Sequence, residues 1–428
     1  MDSIRGIWKS SLFKAASLNS LSVALKIAIG LVTSKVIAVF VGPSGMALVG
    51  NLRNFLSSLE TAGTLGFQNG LVKYTAENKG NPTELRRILS TVFLSLAVVA
   101  MLLSLSLFFL AGLWSDLIFG EAYPYQSIFR VLAAAMPWYA CSLLLISVIN
   151  GLGKFREVVY INMCGNVIGL ALSVILVSQY HTFGALLAVI VAPALVFFAV
   201  LFFIPKEISS FAYFSRSYFS FGIIKKMSSY SLMAVVSAVI SPLVFVAVRN
   251  YIIVSEGIEN AGYWEAMSRI SGYYMMFVST VVSVYFLPKL VTAKTNAETR
   301  TVIFSYFRNI LPVFALALLA LYVMRGFVVR LLFTKAFVPV DALFFWQLSG
   351  DLLKALSMIL GYYLVAKKHT AAFIVTEFAS MGVMFFCSRY LVGSYGIEGV
   401  VMAHFVTYSI YNLLLFLHLR NVIFTKGR

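Results

Sequence analysis

The chain has 428 residues, of which 61% are hydrophobic and only 11% charged, against about 25% charged in an ordinary soluble domain. That composition excludes a soluble globular fold and points to an all-α polytopic membrane protein. The net charge of +17 would suit nucleic-acid binding on a soluble surface, but the basic residues gather in the loops of one side, so no nucleic-acid partner is expected.

A bilayer crossing needs about 20 apolar residues. That ruler predicts twelve transmembrane helices, at 17–40, 46–71, 88–112, 127–150, 158–179, 184–204, 229–253, 264–288, 309–331, 342–366, 371–391 and 397–418. The first is too long for the h-region of a cleaved signal, about 7 to 15 residues, and is expected to stay as a membrane helix. It carries Lys26 and Lys35; the second, after the Gly42-Pro43-Ser44-Gly45 break, carries Arg53 and Glu60. Charges at membrane depth cost roughly 2.5 to 3.5 kcal/mol each. Helical spacing puts Asn19, Ser22, Lys26, Gly30 and Thr33 on one stripe and Arg53, Ser57, Glu60 and Thr64 on another, so both stripes are expected to face a bundle interior or a wet cavity. Lys35 falls on the opposite face among Leu31, Val32 and Val39, where it would snorkel to the membrane surface. Lys26 and Arg53 are therefore the first candidates for binding an anion.

Further along, Asn162 and Asn166 at i and i+4 read as helix-cementing polar groups. In the seventh crossing Pro242 removes a backbone hydrogen bond two turns before Arg249. This fits either a broken helix forming a transporter site or a plain kink with Arg249 near the external surface. Glu265 and Arg269 form an i, i+4 pair in the eighth. In the tenth, Gln347, Asp351, Lys354 and Met358 share a face, with Lys354 in reach of Asp351. Glu377 in the eleventh has no charged neighbour on its own helix and is the candidate for a proton site, or else a carboxyl that bonds the next helix. His404, Tyr408 and Tyr411 line one face of the last crossing, where a lone histidine is read first as a packed residue. The three cysteines sit singly in apolar segments, so neither disulfide nor metal site is expected.

The short loops decide orientation. Arg5, Lys9 and Lys14 begin a basic side that continues through Lys73, Lys79, Arg86 and Arg87, then Lys154 and Arg156, and on to Lys367, Lys368, Arg420, Lys426 and Arg428. Both termini are expected in the cytoplasm. The longest connection divides the chain into residues 1–204, a cytoplasmic loop at 205–228 and residues 229–428. An internal repeat supports that division: a shift of 216 lays Arg53 on Arg269 and Lys73 on Lys289, a shift of 215 lays Tyr180-x3-Gly184 on Tyr395-x3-Gly399, and a shift of 213 lays Lys154 on Lys367. Halves with an even number of crossings share one orientation, so two six-helix bundles related by a parallel pseudo-repeat and facing a central cavity are expected.

No phosphate-binding loop or paired catalytic carboxylates occur, and Gly151-x-Gly153 lacks the third glycine and the strand of a dinucleotide site. A transporter that is not an enzyme and holds no cofactor is the expectation. The run from Lys26 to Arg53, with Lys35 and Gly42-Pro43-x-Gly45 between, then Lys73-Tyr74 and Pro82-x3-Arg86-Arg87, resembles the amino-terminal signature of the O-antigen and enterobacterial common antigen flippases of the Wzx type. Ser283-Val284-Tyr285-x-Leu287-Pro288 and Trp346-Gln347-Leu348-x-Gly350-Asp351-x2-Lys354 extend the resemblance over nearly the whole chain.

The resemblance implies membership of the multidrug/oligosaccharidyl-lipid/polysaccharide exporter superfamily. It implies alternating-access transfer of undecaprenyl-pyrophosphate-linked oligosaccharide units to the periplasmic leaflet of a bacterial inner membrane, for cell-surface polysaccharide of the O-antigen type in lipopolysaccharide. A coupling ion, proton or sodium, and a polysaccharide polymerase and chain-length regulator are the further partners it implies. Lys26, Lys35, Arg53, Arg249, Asp351, Lys354 and Glu377 occupy the charged positions of that family, with Glu60 and Arg269 completing the network. Basic side chains suit a pyrophosphate drawn into an apolar slab. The alternative is an ion-coupled multidrug exporter of the same superfamily, which would want a net acidic cavity; Lys26, Arg53, Arg249, Arg269 and Lys354 outnumber Glu60, Glu265, Asp351 and Glu377. A sugar-joining polymerase should have large external loops, and these are short.

Overall fold

Inside a bilayer only a helix or a closed barrel satisfies every backbone N–H and C=O from within, and the apolar runs of this chain all take the helical solution. The computed structural model describes residues 11–204 and 216–423. Arg5, Lys9, Lys206, Lys426 and Arg428, part of the basic side, lie outside them, as does most of the amino-terminal part of the 205–228 connection. The described residues form α1 (Ser11–Phe40), α2 (Gly42–Gly63), α3 (Gln68–Glu77), α4 (Pro82–Phe109), α5 (Ala111–Phe119), α6 (Gln126–Gly151) and α7 (Phe155–Phe202). They continue with α8 (Phe221–Glu256), α9 (Ile258–Val281), α10 (Leu287–Thr292), α11 (Asn296–Asn309), α12 (Leu311–Val323), α13 (Arg325–Leu332), α14 (Val340–Ala366), α15 (Thr370–Tyr395), α16 (Glu398–His418) and α17 (Arg420–Ile423). No strand occurs among the described residues.

Among the described residues ten helical stretches are long and apolar enough to cross a bilayer. One of them, α7, is two expected crossings in a single run, because the backbone breaks at His181 (φ 49°, ψ −124°). With α2, whose 22 residues are too polar for the same measure, these account for the twelve predicted crossings.

Two boundaries and one break differ from expectation. The ninth crossing runs over Asn296–Val323, not 309–331. Thr295 starts it by accepting the Glu298 N–H at 3.2 Å while Glu298 accepts the Lys294 N–H at 2.7 Å, and Pro312 sits in the first turn of α12, where its missing donor costs nothing. The second crossing stops at Gly63 and turns through Leu65 and Gly66, both at positive φ, into the separate α3. Pro242 does not break the seventh: α8 is continuous across it. A π-helical turn at Val282–Phe286, followed by Pro288, interrupts the eighth crossing instead.

The internal repeat is written in the backbone at a spacing of 215. Non-glycine or glycine residues at positive φ pair as Gly42 with Gly257, Gly153 with Lys368, and His181 with Gly396. The turn between α6 and α7, where the Lys154 N–H bonds the Ile149 carbonyl, recurs between α14 and α15 as His369 to Leu364. The hairpin after His181 recurs too: a Cβ on Gly184 would overlap the Leu176 carbonyl, and one on Gly399 would overlap that of Leu391. Only glycine permits so close an approach of two helices.

The chain divides into two compact units, one of residues 1–40 and 51–239, the other of residues 41–50 and 240–428. In the first, Phe67, Leu71, Ile88, Leu89, Val148 and Ile149 form the core, joined by Ile223 and Met227 from the start of α8. That packing carries the first half of α8 with the first unit. In the second, Gly262 lies so close to the Pro43 carbonyl that a side chain would collide with it, which fastens the start of α2 there.

Candidate functional site

The amino-terminal half of the site is built by α2. Met46, Ala47, Leu48, Val49 and Leu52 are exposed by 2% or less, and Phe55, Leu56 and Leu59 are buried too. From Arg53 to Thr61 its accessible residues are all polar, Arg53, Asn54, Ser57, Glu60 and Thr61, while Gly42, Pro43, Ser44 and Ala62 are half-buried at its ends. A membrane helix facing lipid shows the reverse pattern, so this crossing presents its open side to water or to a polar ligand. Asn51 anchors the helix by donating to the Ile118 carbonyl at 2.7 Å. Glu60 accepts from the Tyr139 hydroxyl at 2.7 Å and from Gln68 at 3.5 Å.

In α1 the exposed apolar positions Leu21, Val32 and Val39 form one face, with Phe40 at the helix end roughly 100° from it. Lys26 is also exposed, but at 100° per residue it stands roughly 140° round the helix from Leu21. It therefore lies away from the face of Leu21, Val32 and Val39. Lys35 is half-buried and roughly 40° from Leu21, beside that apolar face.

In the second unit Arg249, Glu265 and Arg269 form one buried cluster. Arg249 donates to Glu265 Oε2 at 2.7 Å and Arg269 Nε to Oε1 at 2.9 Å, with Arg249 only 1% exposed. The Arg249 guanidinium lies 5.0 Å from the Trp264 ring, which stacks on Phe245. Gly50 makes room for the carboxylate, since a Cβ there would overlap it. Two guanidiniums share one carboxylate, so the cluster keeps one positive charge. Arg249 is thus tied to the Glu265–Arg269 pair.

The second polar centre of this unit surrounds Asp351, which is 0% exposed. Its Oδ2 accepts from Ser271 at 2.6 Å, from the Tyr274 hydroxyl and from Gln347 at 3.1 Å, and Oδ1 is 3.0 Å from His404 Nε2. The side chain that meets Asp351 Oδ1 is therefore His404, and Lys354, expected there, is not within ion-pair distance. The reason is the close packing of α14 on α16: a side chain at Gly350 would strike the His404 ring, so the two helices approach until aspartate and histidine meet. Lys354 turns instead to Tyr408, its Nζ 5.6 Å from the ring centroid, with Asp351 and Glu377 as its charged neighbours. Tyr408 lies between His404 and Tyr411, with ring centroids 4.9 and 6.2 Å away. Glu377, without a charged neighbour on its own helix, has one in Lys354 of α14.

The model of a family described as polysaccharide biosynthesis protein matches residues 18–341. The chain belongs to that family. The match takes in Lys26, Arg53, Glu60, Arg249 and Arg269 and ends before Asp351. Among relatives of this polysaccharide biosynthesis protein, the lipid III flippase of Escherichia coli (strain K12) is 29% identical over 410 residues, covering 94% of this chain and 96% of the relative. The solved structure of the lipid II flippase MurJ in an inward closed conformation aligns with a TM-score of 0.74 at 14% identity, over 95% of this chain and 87% of that one. An inward-facing multidrug resistance MATE family transporter of the MOP superfamily aligns with a TM-score of 0.77 at 11% identity, over 92% and 95%. These likenesses show that the family member has the fold of this transporter superfamily.

Sequence reasoning had no reason to single out Ser271 and Tyr274, two of the four groups on Asp351. The one signal available was their i, i+3 spacing on α9, which puts two hydroxyls on one face of a membrane helix.

Proposed function

We propose that this protein flips an undecaprenyl-pyrophosphate-linked oligosaccharide from the cytoplasmic to the periplasmic leaflet of a bacterial inner membrane, for cell-surface polysaccharide synthesis. The observation that carries the reading is the open side of α2: a membrane-spanning helix whose accessible residues from Arg53 to Thr61 are all polar, namely Arg53, Asn54, Ser57, Glu60 and Thr61. Lys26 and Arg53, both exposed, supply the counter-charge for the pyrophosphate. Glu60, held by Tyr139, keeps that region from excessive positive charge. Arg249, through its cluster with Glu265 and Arg269, and Lys354 over Tyr408 are the corresponding cations of the second unit. The likeness to a relative named lipid III flippase supports the same substrate class.

The halves 1–204 and 229–428, joined by a cytoplasmic 205–228, carry the alternating movement, with both termini in the cytoplasm. Glu377 with Lys354 and Asp351 with His404 form the coupling network for a proton or sodium ion, and a polymerase with its chain-length regulator consumes the delivered lipid. In proteoliposomes loaded with undecaprenyl-pyrophosphate oligosaccharide, the protein is expected to move the sugar across the bilayer. A Lys26→Ala, Arg53→Ala double variant is expected to lose that activity by ten-fold or more while inserting normally, and Lys26→Arg to keep more of it than Lys26→Ala. Normal flipping by the double variant, or transport of organic cations with no flipping, would refute the reading.

A further inference from the structure

The first unit holds a second feature, separate from the open side of α2. An apolar groove of 640 Å³ runs between α4 and α6, with Phe197 of α7 on its wall. Small residues make it, chiefly Ala97, Ala133 and Ala134, which let two packed helices leave room between them. Met101, Phe108 and Trp138 on its rim are 66, 51 and 50% exposed, so the groove opens onto apolar surface, the kind that faces lipid.

Two polar groups stand in this setting. Arg130 lines the groove one turn from the start of α6 at Gln126 and has no ion pair with any carboxylate among the described residues. The Ser104 hydroxyl, also in the lining, is buried with no hydrogen-bond partner among the described residues. A cation and an unsatisfied hydroxyl in an otherwise apolar groove fit a molecule with an anionic head and a long apolar tail.

Length then selects the tail. Phe93 and Phe108 of α4 both line the groove, and at 1.5 Å per residue they are roughly 22 Å apart. One leaflet of hydrocarbon is about 15 Å deep, half of a core of about 30 Å. Arg130 follows the loop expected on the periplasmic side, so a groove starting at it runs past the bilayer midplane. An ordinary acyl chain of the outer leaflet ends there, whereas an isoprenoid chain continues.

We propose that this groove docks the isoprenoid chain of a lipid pyrophosphate on the periplasmic side, with Arg130 on its phosphate, so that the delivered lipid is held on the first unit after its sugar has crossed. The inference rests on the flippase reading, and the two are tested apart. Full-length protein carrying a photoreactive residue at position 134 is reconstituted in phospholipid vesicles with undecaprenyl pyrophosphate and illuminated. An isoprenoid adduct is expected, reduced about ten-fold by Arg130→Gln. In the flipping assay Ala134→Trp, which fills the groove, is expected to slow transfer at subsaturating lipid about ten-fold, while Val98→Trp, on α4 but outside the lining, leaves it at the parent rate. Both tryptophan variants are compared with the parent by size-exclusion profile, so that loss of fold is recognised. Phospholipid adducts alone, an adduct that Arg130→Gln leaves undiminished, or parent-rate flipping by Ala134→Trp overturns the groove. A parent protein that flips nothing overturns the flippase reading instead.

Discussion

The absence of a side chain at Gly50 leaves the space in which the Glu265 carboxylate sits between Arg249 and Arg269. Removing one member of a buried ion pair costs about 3 to 5 kcal/mol, because the remaining charge stays desolvated. Gly50→Ala forces that carboxylate aside and is expected to lower thermal stability in detergent by several degrees. Gly272→Ala in α9, where a Cβ meets nothing within 4 Å, is the neutral control. A second residue-scale expectation concerns Glu377, whose charged neighbour is Lys354. Under proton coupling Glu377→Gln keeps the shape but cannot titrate, so uphill flipping in proteoliposomes is expected to lose its pH dependence while lipid binding persists. An unchanged pH profile would leave Glu377 as a helix-bonding carboxyl. The candidate charges Lys26, Arg53 and Glu60 were legible because each is an expensive group in an apolar run. The Asp351–His404 pair was not, because 53 positions separate its members and only the contact of α14 with α16 joins them.

Helices in this chain meet closely where glycine lets them. Gly184 in α7 and Gly399 in α16 each sit against a carbonyl of the preceding crossing, at equivalent points of the two hairpins. A larger side chain in such a contact forces backbone shifts costing typically 1 to 3 kcal/mol, occasionally more. Gly184→Val and Gly399→Val are therefore expected to destabilise the protein by similar amounts, read as lowered melting temperatures, whereas Gly169→Val in α7, where a Cβ meets only the Ala192 Cβ at 3.8 Å, should cost less. Unequal losses at positions 184 and 399 would mean that the two hairpins do not bear the same load. The ninth crossing shows what hydropathy alone misses at this scale. Its first half, α11, is too polar to score, and what makes it part of the crossing is the capped start at Thr295 and the continuation through Pro312.

Across the whole molecule the basic loops set orientation. Reporter fusions after Lys79, Arg216 and Lys294 are expected to read cytoplasmic, and those after Asp116, Glu256 and Gly393 periplasmic. A periplasmic signal at Arg216 would remove the same-orientation arrangement of the halves. The spacing of 215 relates the turns at Gly42, Gly153 and His181 to those at Gly257, Lys368 and Gly396, whereas the turns at Leu65–Gly66 and Gly120 have no positive-φ counterpart in the second half. The charges do not follow it: Arg249, Asp351, Lys354 and Glu377 correspond at that spacing to Ser34, Met136, Tyr139 and Asn162. The two halves therefore share a backbone and differ in chemistry.

The sequence by itself determined the class of the protein, the number of its crossings and the existence of the repeat. These depend on local free energies, the transfer of apolar runs into hydrocarbon and the cost of charge within them, which each segment expresses without its neighbours. Only the tertiary structure decided that the open side of α2 from Arg53 to Thr61 is polar, that α8 runs unbroken through Pro242, that Arg249 shares Glu265 with Arg269, and that His404 and not Lys354 meets Asp351. Each of those depends on which helix lies against which and how closely. That distance is governed by small residues such as Gly50 and Gly350, whose effect falls on side chains far along the chain.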